Sequence, residues 1–332
     1  MADAPLLAAR KLSVEFATRE GVVRAVSEVD FDLAAGETLA IVGESGSGKT
    51  QMLLGILGLV ARNARVIGSA RFKGEELLSA SETRLNQIRG SGIGLVFQDP
   101  MTSLNPYLSI GLQLTEPLRV HKAADRAAAA AQAIEMLKAV HITEPERRMR
   151  QYPHQLSGGM RQRVAIAMAL ICRPEILIAD EPTTALDVTV QAQVLSLLRE
   201  IRERFGTAVI LVTHDLGVIA ELADRVNVMY AGKIVEAGSV EDIFYNCRHP
   251  YTEALERSIP QFTQARPARL MAIAGNPPNP AHLPPGCAFA PRCPYRLVGC
   301  DLSVPPLESI APGHAKACFY EGPLGPAAEL PA

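Results

Sequence analysis

The run Gly43-Glu44-Ser45-Gly46-Ser47-Gly48-Lys49-Thr50 fits the pattern GxxxxGK[ST]. Glycines at this spacing let a backbone curl into a nest whose N–H groups face phosphate oxygens. A helix opening near Gly48 adds its positive end to the same point. Lys49 supplies a point charge for β- and γ-phosphates, and the Thr50 hydroxyl a ligand for Mg2+. Further on, Ile176-Leu177-Ile178-Ala179-Asp180-Glu181 is an apolar strand ending in two acids. A strand-end Asp beside a phosphate loop holds Mg2+, which suits Asp180. Glu181 suits a base that polarises an attacking water. Taken alone, such a pair reads as solvated surface, and the phosphate loop upstream tips the reading to chemistry. His214 directly follows the apolar run Ala208–Thr213. A lone His is more often structural or solvated. Its expected place at the end of a strand parallel to that of Asp180 favours function.

A second anion-type sequence follows another rule. Leu156-Ser157-Gly158-Gly159-Met160 precedes a helix expected from about Arg161, and a Ser with two glycines at a helix N-terminus is an anion site. The chain thus carries two phosphate-type sites, with 112 residues between Gly43 and Leu156. Arg147, Arg148, Arg150, Arg161 and Arg163 bracket the second. A solvated face outweighs a phosphate or lipid-headgroup role for them.

Cysteine usage is uneven. Cys287, Cys293, Cys300 and Cys318 fall within 32 residues as C-x5-C-x6-C-x17-C. Four thiolates suit zinc or an iron–sulfur cluster. The spacing is looser than the C-x2-C pairs of zinc sites and favours neither. Pro284, Pro285, Gly286, Pro291 and Pro294 suit a stiff loop wrapped on a metal. Cys172 sits in an apolar run and reads as core, whereas Cys247 carries no reading.

The elements that must position these residues are legible in outline. Leu12, Val14 and Phe16 alternate with polar residues, as do Val29, Phe31 and Leu33, with a turn expected at Glu20-Gly21. This implies an N-terminal antiparallel β-subdomain. Thr38–Val42 is a short buried-type strand leading into the phosphate loop, and a helix is expected from Lys49 to about Leu59. Residues 99–170 read as a helical insertion, with Ala-rich Ala123–Val140 at its centre. Val190, Val194, Leu197, Leu198 and Ile201 have helical spacing, and Gly206 stops that helix. Strand–helix–strand with continuous apolar strands implies a parallel sheet. From Pro260 the composition shifts, since 15 of the 24 prolines lie in 260–332. That segment reads as a loop-rich tail.

Length and composition bound the rest. At 332 residues the chain has room for about two domains and a core that needs no disulfides. A net charge of −2 argues against a protein that coats nucleic acid. With 48% hydrophobic and 20% charged residues the composition is globular rather than disordered. The longest apolar run, Val164–Cys172, falls well short of the roughly 20 residues that span a bilayer. The first residues, with Asp3 and no basic stretch before an apolar core, do not read as a secretory signal.

With these motifs in this order, residues 6–260 resemble the nucleotide-binding subunit of an ATP-binding-cassette (ABC) transporter. The resemblance implies an α/β fold: a P-loop NTPase (RecA-like) core carrying the β-subdomain, the helical insertion and a C-terminal cysteine domain over 261–332. Phe16 resembles the aromatic that stacks on adenine. Gln98 resembles the glutamine that contacts Mg2+ and the attacking water. Leu156–Met160 resembles the signature sequence, with Met160 where Gln is commoner, a position facing away from the direct phosphate contacts. Ala185-Leu186-Asp187 resembles the loop that crosses to a partner subunit. Phe97–Pro106, His249-Pro250-Tyr251-Thr252 and the cysteine tail are similar to the dipeptide/oligopeptide importer subgroup. Gln51 after Thr50 resembles the first of its two paired ATPases.

The resemblance implies a head-to-tail cassette dimer with ATP between the phosphate loop of one subunit and the signature of the other. It implies a second, paralogous ATPase, two transmembrane permease subunits and an extracytoplasmic peptide-binding protein. It implies no nucleic-acid partner and a peripheral place on the cytoplasmic face of the membrane. ATP and Mg2+ are the cofactors implied, with a [4Fe-4S] cluster on Cys287, Cys293, Cys300 and Cys318 and zinc as the alternative. Three other functions fit parts of the pattern. They are the same machine with another cargo such as nickel, a soluble ABC ATPase on DNA or ribosomes, and a binding module that no longer hydrolyses. A single phosphate loop and the absence of a long heptad pattern oppose the second. Glu181 and His214 oppose the third.

Overall fold

The computed structural model describes residues 4–19, 21–99, 103–183, 187–258 and 273–324. Along the chain the strands are β1 (Leu7–Thr18), β2 (Gly21–Leu33), β3 (Thr38–Val42), β4 (Ala64–Phe72), β5 (Glu75–Glu76) and β6 (Ile93–Val96). They continue with β7 (Ile176–Asp180), β8 (Ala208–Thr213), β9 (Arg225–Tyr230), β10 (Lys233–Ser239), β11 (Glu308–Ala311) and β12 (His314–Lys316). The helices are α1 (Lys49–Ile56), α2 (Glu82–Ile88), α3 (Ile110–Lys122), α4 (Arg126–Ala139) and α5 (Pro145–Arg148). After them come α6 (Gly158–Leu170), α7 (Val188–Phe205), α8 (Leu216–Leu222), α9 (Val240–Tyr245) and α10 (Pro250–Arg257). The chain separates into two compact units.

The first unit comprises Met1–Leu6, Leu33–Thr38 and Ser79–Val212. Its strands β6, β7 and β8 are parallel, with Ile93 opposite Ile176, Ile176 opposite Ala208 and Asp180 opposite Val212. Every residue of β7 and β8 is buried, which is why both read as unbroken apolar runs. The expected helical segment is present as α3 to α6, in which α3 packs on α4 and α6. Helix α4 buries Ala129, Ala133, Met136 and Leu137, an i, i+4, i+7, i+8 stripe. Asp125 caps it by accepting the Ala128 N–H at 2.8 Å. In α7, Val194, Leu197, Leu198 and Ile201 are buried and Val190 partly so. Gly206 closes it at φ 64°. Cys172 is core, as expected.

The second unit comprises Leu7–Asp32, Leu39–Leu78 and Thr213–Ala332. One sheet has the order β2-β1-β4-β5, with Leu7 opposite Phe72 and Phe16 opposite Ala64. Leu12, Val14, Val29 and Phe31 turn inward, as their alternation implies. Gly21 opens β2, while Glu20, the other half of the expected turn, lies outside the described residues. In this unit β3 and β9 are parallel, and β9, β10, β12 and β11 follow antiparallel.

Helix α1 ends at Ile56 rather than near Leu59. The reason is a backbone stop: Gly58 takes φ 64°, its N–H bonds Gly55 O at 3.1 Å and the Leu59 N–H bonds Leu54 O at 2.8 Å. Among its described residues the tail holds only 3-10 turns at Ala290–Arg292 and Val298–Asp301 and the two short strands. It is nonetheless built into this unit. Phe289 is buried against Tyr230 and Tyr251, with ring centroids 5.3 and 5.4 Å away.

Because Ile178 is fully buried at the middle of β7, Ile178→Ala removes methyl groups with no solvent to replace them. It is expected to cost about 2–5 kcal/mol. The check is a lowered urea midpoint at an unchanged m value.

Candidate functional site

Strand β3 delivers the chain into a loop whose shape is enforced by close approach. A Cβ at Gly43 would collide with the Met229 carbonyl oxygen, and one at Gly48 with that of Ala25. Gly48, at φ 101°, is the N-cap of α1 and accepts the Met52 N–H at 2.9 Å. Within the loop the Ser47 N–H meets Glu44 O at 3.2 Å, and Gly232 N–H holds Ser47 O at 2.9 Å. Lys49 is buried, and its Nζ donates to Gly43 O at 2.7 Å, Glu44 O at 3.0 Å and Ser47 Oγ at 3.4 Å. A positive charge therefore sits inside a curve of backbone. Thr50 and Gln51 are half-buried on the first turn of α1, and Phe16 is half-buried on β1.

Glu44 is anchored by two residues from far along the sequence. Its N–H donates to Tyr251 Oη at 2.8 Å. Its carboxylate accepts from Arg292 Nη1 at 2.6 Å and Nη2 at 3.0 Å. Burial pushes the Tyr251 phenol well above its ordinary range, so it remains a neutral hydroxyl. Neither contact follows from spacing: Glu44 and Arg292 are 248 positions apart. Arg292 lies between Pro291 and Cys293, in a segment whose sequence signal is its cysteines and prolines.

In the first unit the acidic strand end has its own geometry. Asp180 is buried at the end of β7. Glu181 follows in the left-handed region at φ 46°, an uncommon place for a non-glycine residue, with its N–H on Val212 O at 2.8 Å. The β6–β7 register, Val96 opposite Ala179, carries Gln98 to the same edge. Gln98 Nε2 donates to Glu181 Oε2 at 2.8 Å. Two residues 83 positions apart and assigned separately thus meet directly.

Ser157 caps α6 by accepting the Met160 N–H at 3.3 Å. Leu156 is buried, and Gly158 has open space where a Cβ would stand. At Gly159 a Cβ would come within 2.8 Å of Val190. Asp187 caps α7 by accepting the Val190 N–H at 3.0 Å, while Ala185 and Leu186 lie outside the described residues. Arg161 and Arg163 are tied to Pro153 O at 2.8 Å and Gln193 Oε1 at 2.7 Å. His214, in the second unit, is exposed one residue before Asp215, the N-cap of α8.

The cysteines gather in the second unit without forming a metal site. The Cys287 N–H bonds Cys300 O at 2.7 Å. Burial raises the thiols of Cys287, Cys293 and Cys318, and the neighbouring thiols add to it, so that Cys293 is pushed up to about 12. Among the described residues no group of three or more His, Cys, Asp or Glu side chains could hold a metal ion. The expected four-thiolate centre, iron–sulfur or zinc, therefore lacks support in this arrangement.

Comparison with known proteins shows the family. Residues 26–184 match the ABC transporter family, and residues 235–300 match the oligopeptide/dipeptide transporter C-terminal region. The oligopeptide transport ATP-binding protein OppD of Salmonella typhimurium is 52% identical over 314 residues, covering 95% of this chain and 93% of the relative. OppD of Escherichia coli K12 is 52% identical over 318 residues, covering 96% and 94%. Among solved structures, the post-hydrolysis dimer of the ATP-binding cassette MJ0796 bound to ADP and Pi is 30% identical, with a TM-score of 0.64. It covers 70% of this chain and 98% of that one. This chain belongs to the ATP-binding subunits of ABC transporters. Its fold is the P-loop NTPase fold of the ABC cassette, and its class hydrolyses ATP to power transport. Among the described residues no helix is long and apolar enough to cross a membrane.

His249 gives the stability of the second unit a pH dependence. Its Nδ1 accepts the Tyr251 N–H at 3.1 Å and caps α10, which requires the neutral ring. Complete burial, with the charge of Lys316 adding to it, lowers its pKa to about 3. The unfolded chain therefore takes up a proton that the folded chain refuses. The stability this residue contributes is full above about pH 6.5 and falls by up to about 1.4 kcal/mol per pH unit as pH drops from there toward 3. Urea melts between pH 7 and 4 should show that slope, and His249→Gln should flatten it.

Proposed function

We propose that this chain is one of the ATP-hydrolysing subunits of an importer for di- and oligopeptides. The observation that carries the cargo is the oligopeptide/dipeptide transporter C-terminal region matched at 235–300, alongside relatives named for oligopeptide transport. In this reading it docks head to tail with a second, paralogous cassette beneath two transmembrane permease subunits. An extracytoplasmic binding protein delivers the peptide on the other side of the membrane. The chain itself lies at the cytoplasmic face.

The site residues take roles that their chemistry supports. The loop Gly43 to Thr50 cradles the phosphates with the N–H groups not bonded within the fold, Lys49 pairs with the β- and γ-phosphates and Phe16 stacks on adenine. Hydroxyl, carboxylate and amide oxygens are the donors a hard cation takes, so Thr50, Asp180 and Gln98 suit Mg2+. Mg2+ offsets the charge that builds on the phosphates during transfer. Glu181 accepts the proton of the attacking water, and the Gln98 amide holds its carboxylate in place. His214 stabilises the γ-phosphate. Leu156–Met160 and Asp187 serve the partner subunit's nucleotide. For the tail cysteines the family resemblance remains the one argument for a [4Fe-4S] cluster, and no step here passes through it.

Glu181→Gln should lower steady-state ATP hydrolysis by the assembled importer by about 10²-fold or more, the scale of a lost general base, while ATP binding persists. Equal rates would remove the role of Glu181. Peptide uptake into vesicles holding the complex, scored against nickel, decides the cargo. Anaerobic purification with iron and sulfide analysis decides the cluster: about four irons per chain, lost in Cys293→Ser, would establish it, and a colourless iron-free protein would remove it.

A further inference from the structure

The guanidinium of Arg292 has five N–H donors in a rigid fork, and all five are used. Nη1 bonds Glu44 Oε2 at 2.6 Å and Tyr230 Oη at 3.2 Å. Nη2 bonds Glu44 Oε1 at 3.0 Å and Ile273 O at 3.3 Å, and Nε bonds Ala274 O at 2.9 Å. The group also lies 5.9 Å from the ring centroids of Tyr230 and Phe289. Its side chain is 4% exposed, against 25% for Glu44. A fork this fully engaged is immobile. Held at both carboxylate oxygens, Glu44 cannot rotate.

What it holds is the second residue of the phosphate loop. An acid is an odd choice there, since it repels a triphosphate wherever it is not compensated. The carbonyl of the same residue takes both the Lys49 ammonium at 3.0 Å and the Ser47 N–H at 3.2 Å. Fixing Glu44 therefore fixes the lysine and the turn that shapes the nest. Tyr251 completes the hold from the main-chain side. Prolines 277, 278 and 280 of the same tail line a small hollow with Ser45, Gly46 and Ser47.

We infer that Arg292 is a positioning residue for ATP: its two-pronged grip on Glu44 sets the phosphate loop and cancels the loop's one negative charge, so the C-terminal tail governs nucleotide affinity. This rests on the reading of Gly43–Thr50 as the ATP loop. Arg292 acts through Glu44 and is assigned no contact with the nucleotide.

The test is equilibrium binding of ATP with Mg2+ to the full chain, with a thermal melt of each variant. Arg292→Ala should weaken ATP binding on the order of tenfold, the scale of a charge-assisted pair, and the defect should shrink as salt rises. Arg292→Lys keeps the charge but cannot fork, so it should recover only part of the loss. Adding Glu44→Ala to Arg292→Ala should recover the part of the loss owed to the uncompensated acid. A purely structural loss would not be reversed this way. Tyr230→Phe removes one of the five bonds and leaves the grip on Glu44, and should bind ATP as the parent does. If Arg292→Ala alone melts too low to assay, Arg292→Lys and the double variant carry the comparison. Unchanged ATP affinity in Arg292→Ala and Arg292→Lys, or a double variant as weak as Arg292→Ala, would overturn the inference. A parent chain that binds no ATP would defeat the reading of the loop, and the grip on Glu44 would fall with it.

Discussion

A loop that offers N–H groups to phosphate has few of them left for holding itself together. This constraint explains much of the second unit. The loop from Gly43 to Thr50 takes its shape from neighbours: the carbonyls of Met229 and Ala25 press where side chains would be, and Gly232 holds Ser47 O. The Tyr251 hydroxyl and the Arg292 fork then secure Glu44. Ala25 precedes the loop on β2, and the other supports come from a strand, turn or helix completed much later in the chain. The phosphate loop is short in sequence, but its geometry is a property of the whole unit.

The acidic strand end solves a different problem. A base must be aimed, and an extended strand alone would let Glu181 point with the pleat. The backbone instead turns through the left-handed region right after Asp180, and the Glu181 N–H on Val212 O secures that turn. The Gln98 amide then restrains the carboxylate. Strain of this kind persists only where the surrounding structure over-determines it. Here the buried β7 and β8 do so, with their fixed parallel register.

The cassette was legible because its elements follow local rules. Unbroken apolar runs gave β3, β7 and β8, and five apolar positions at helical spacing gave the inward face of α7. The phosphate loop and the capped start of α6 announce themselves through glycines and a serine at fixed positions. The contact between Gln98 and Glu181 was not legible as a contact, since it depends on which strand lies beside which. The end of α1 was misjudged because apolar spacing continues to Leu59, whereas Gly58 closes the helix in the backbone. The anchors on Glu44 escaped notice for a deeper reason. Tyr251 and Arg292 belong to no periodic pattern, and chain distance says nothing of their target. The four cysteines show the converse: a suggestive spacing in the sequence, but no group of side chains that could hold a metal among the described residues.

Strand β12 carries a consequence for how the chain is made. It pairs along β10, with Glu236 opposite Lys316, and the short β11 closes the row. During synthesis β10 emerges well before the segment that covers it. Until the last strands leave the ribosome, the nascent chain presents an open sheet edge, a template for unwanted strand pairing. A protein cut short before β11 would keep that edge for its lifetime. Loss of β11 and β12 should therefore register first as aggregation.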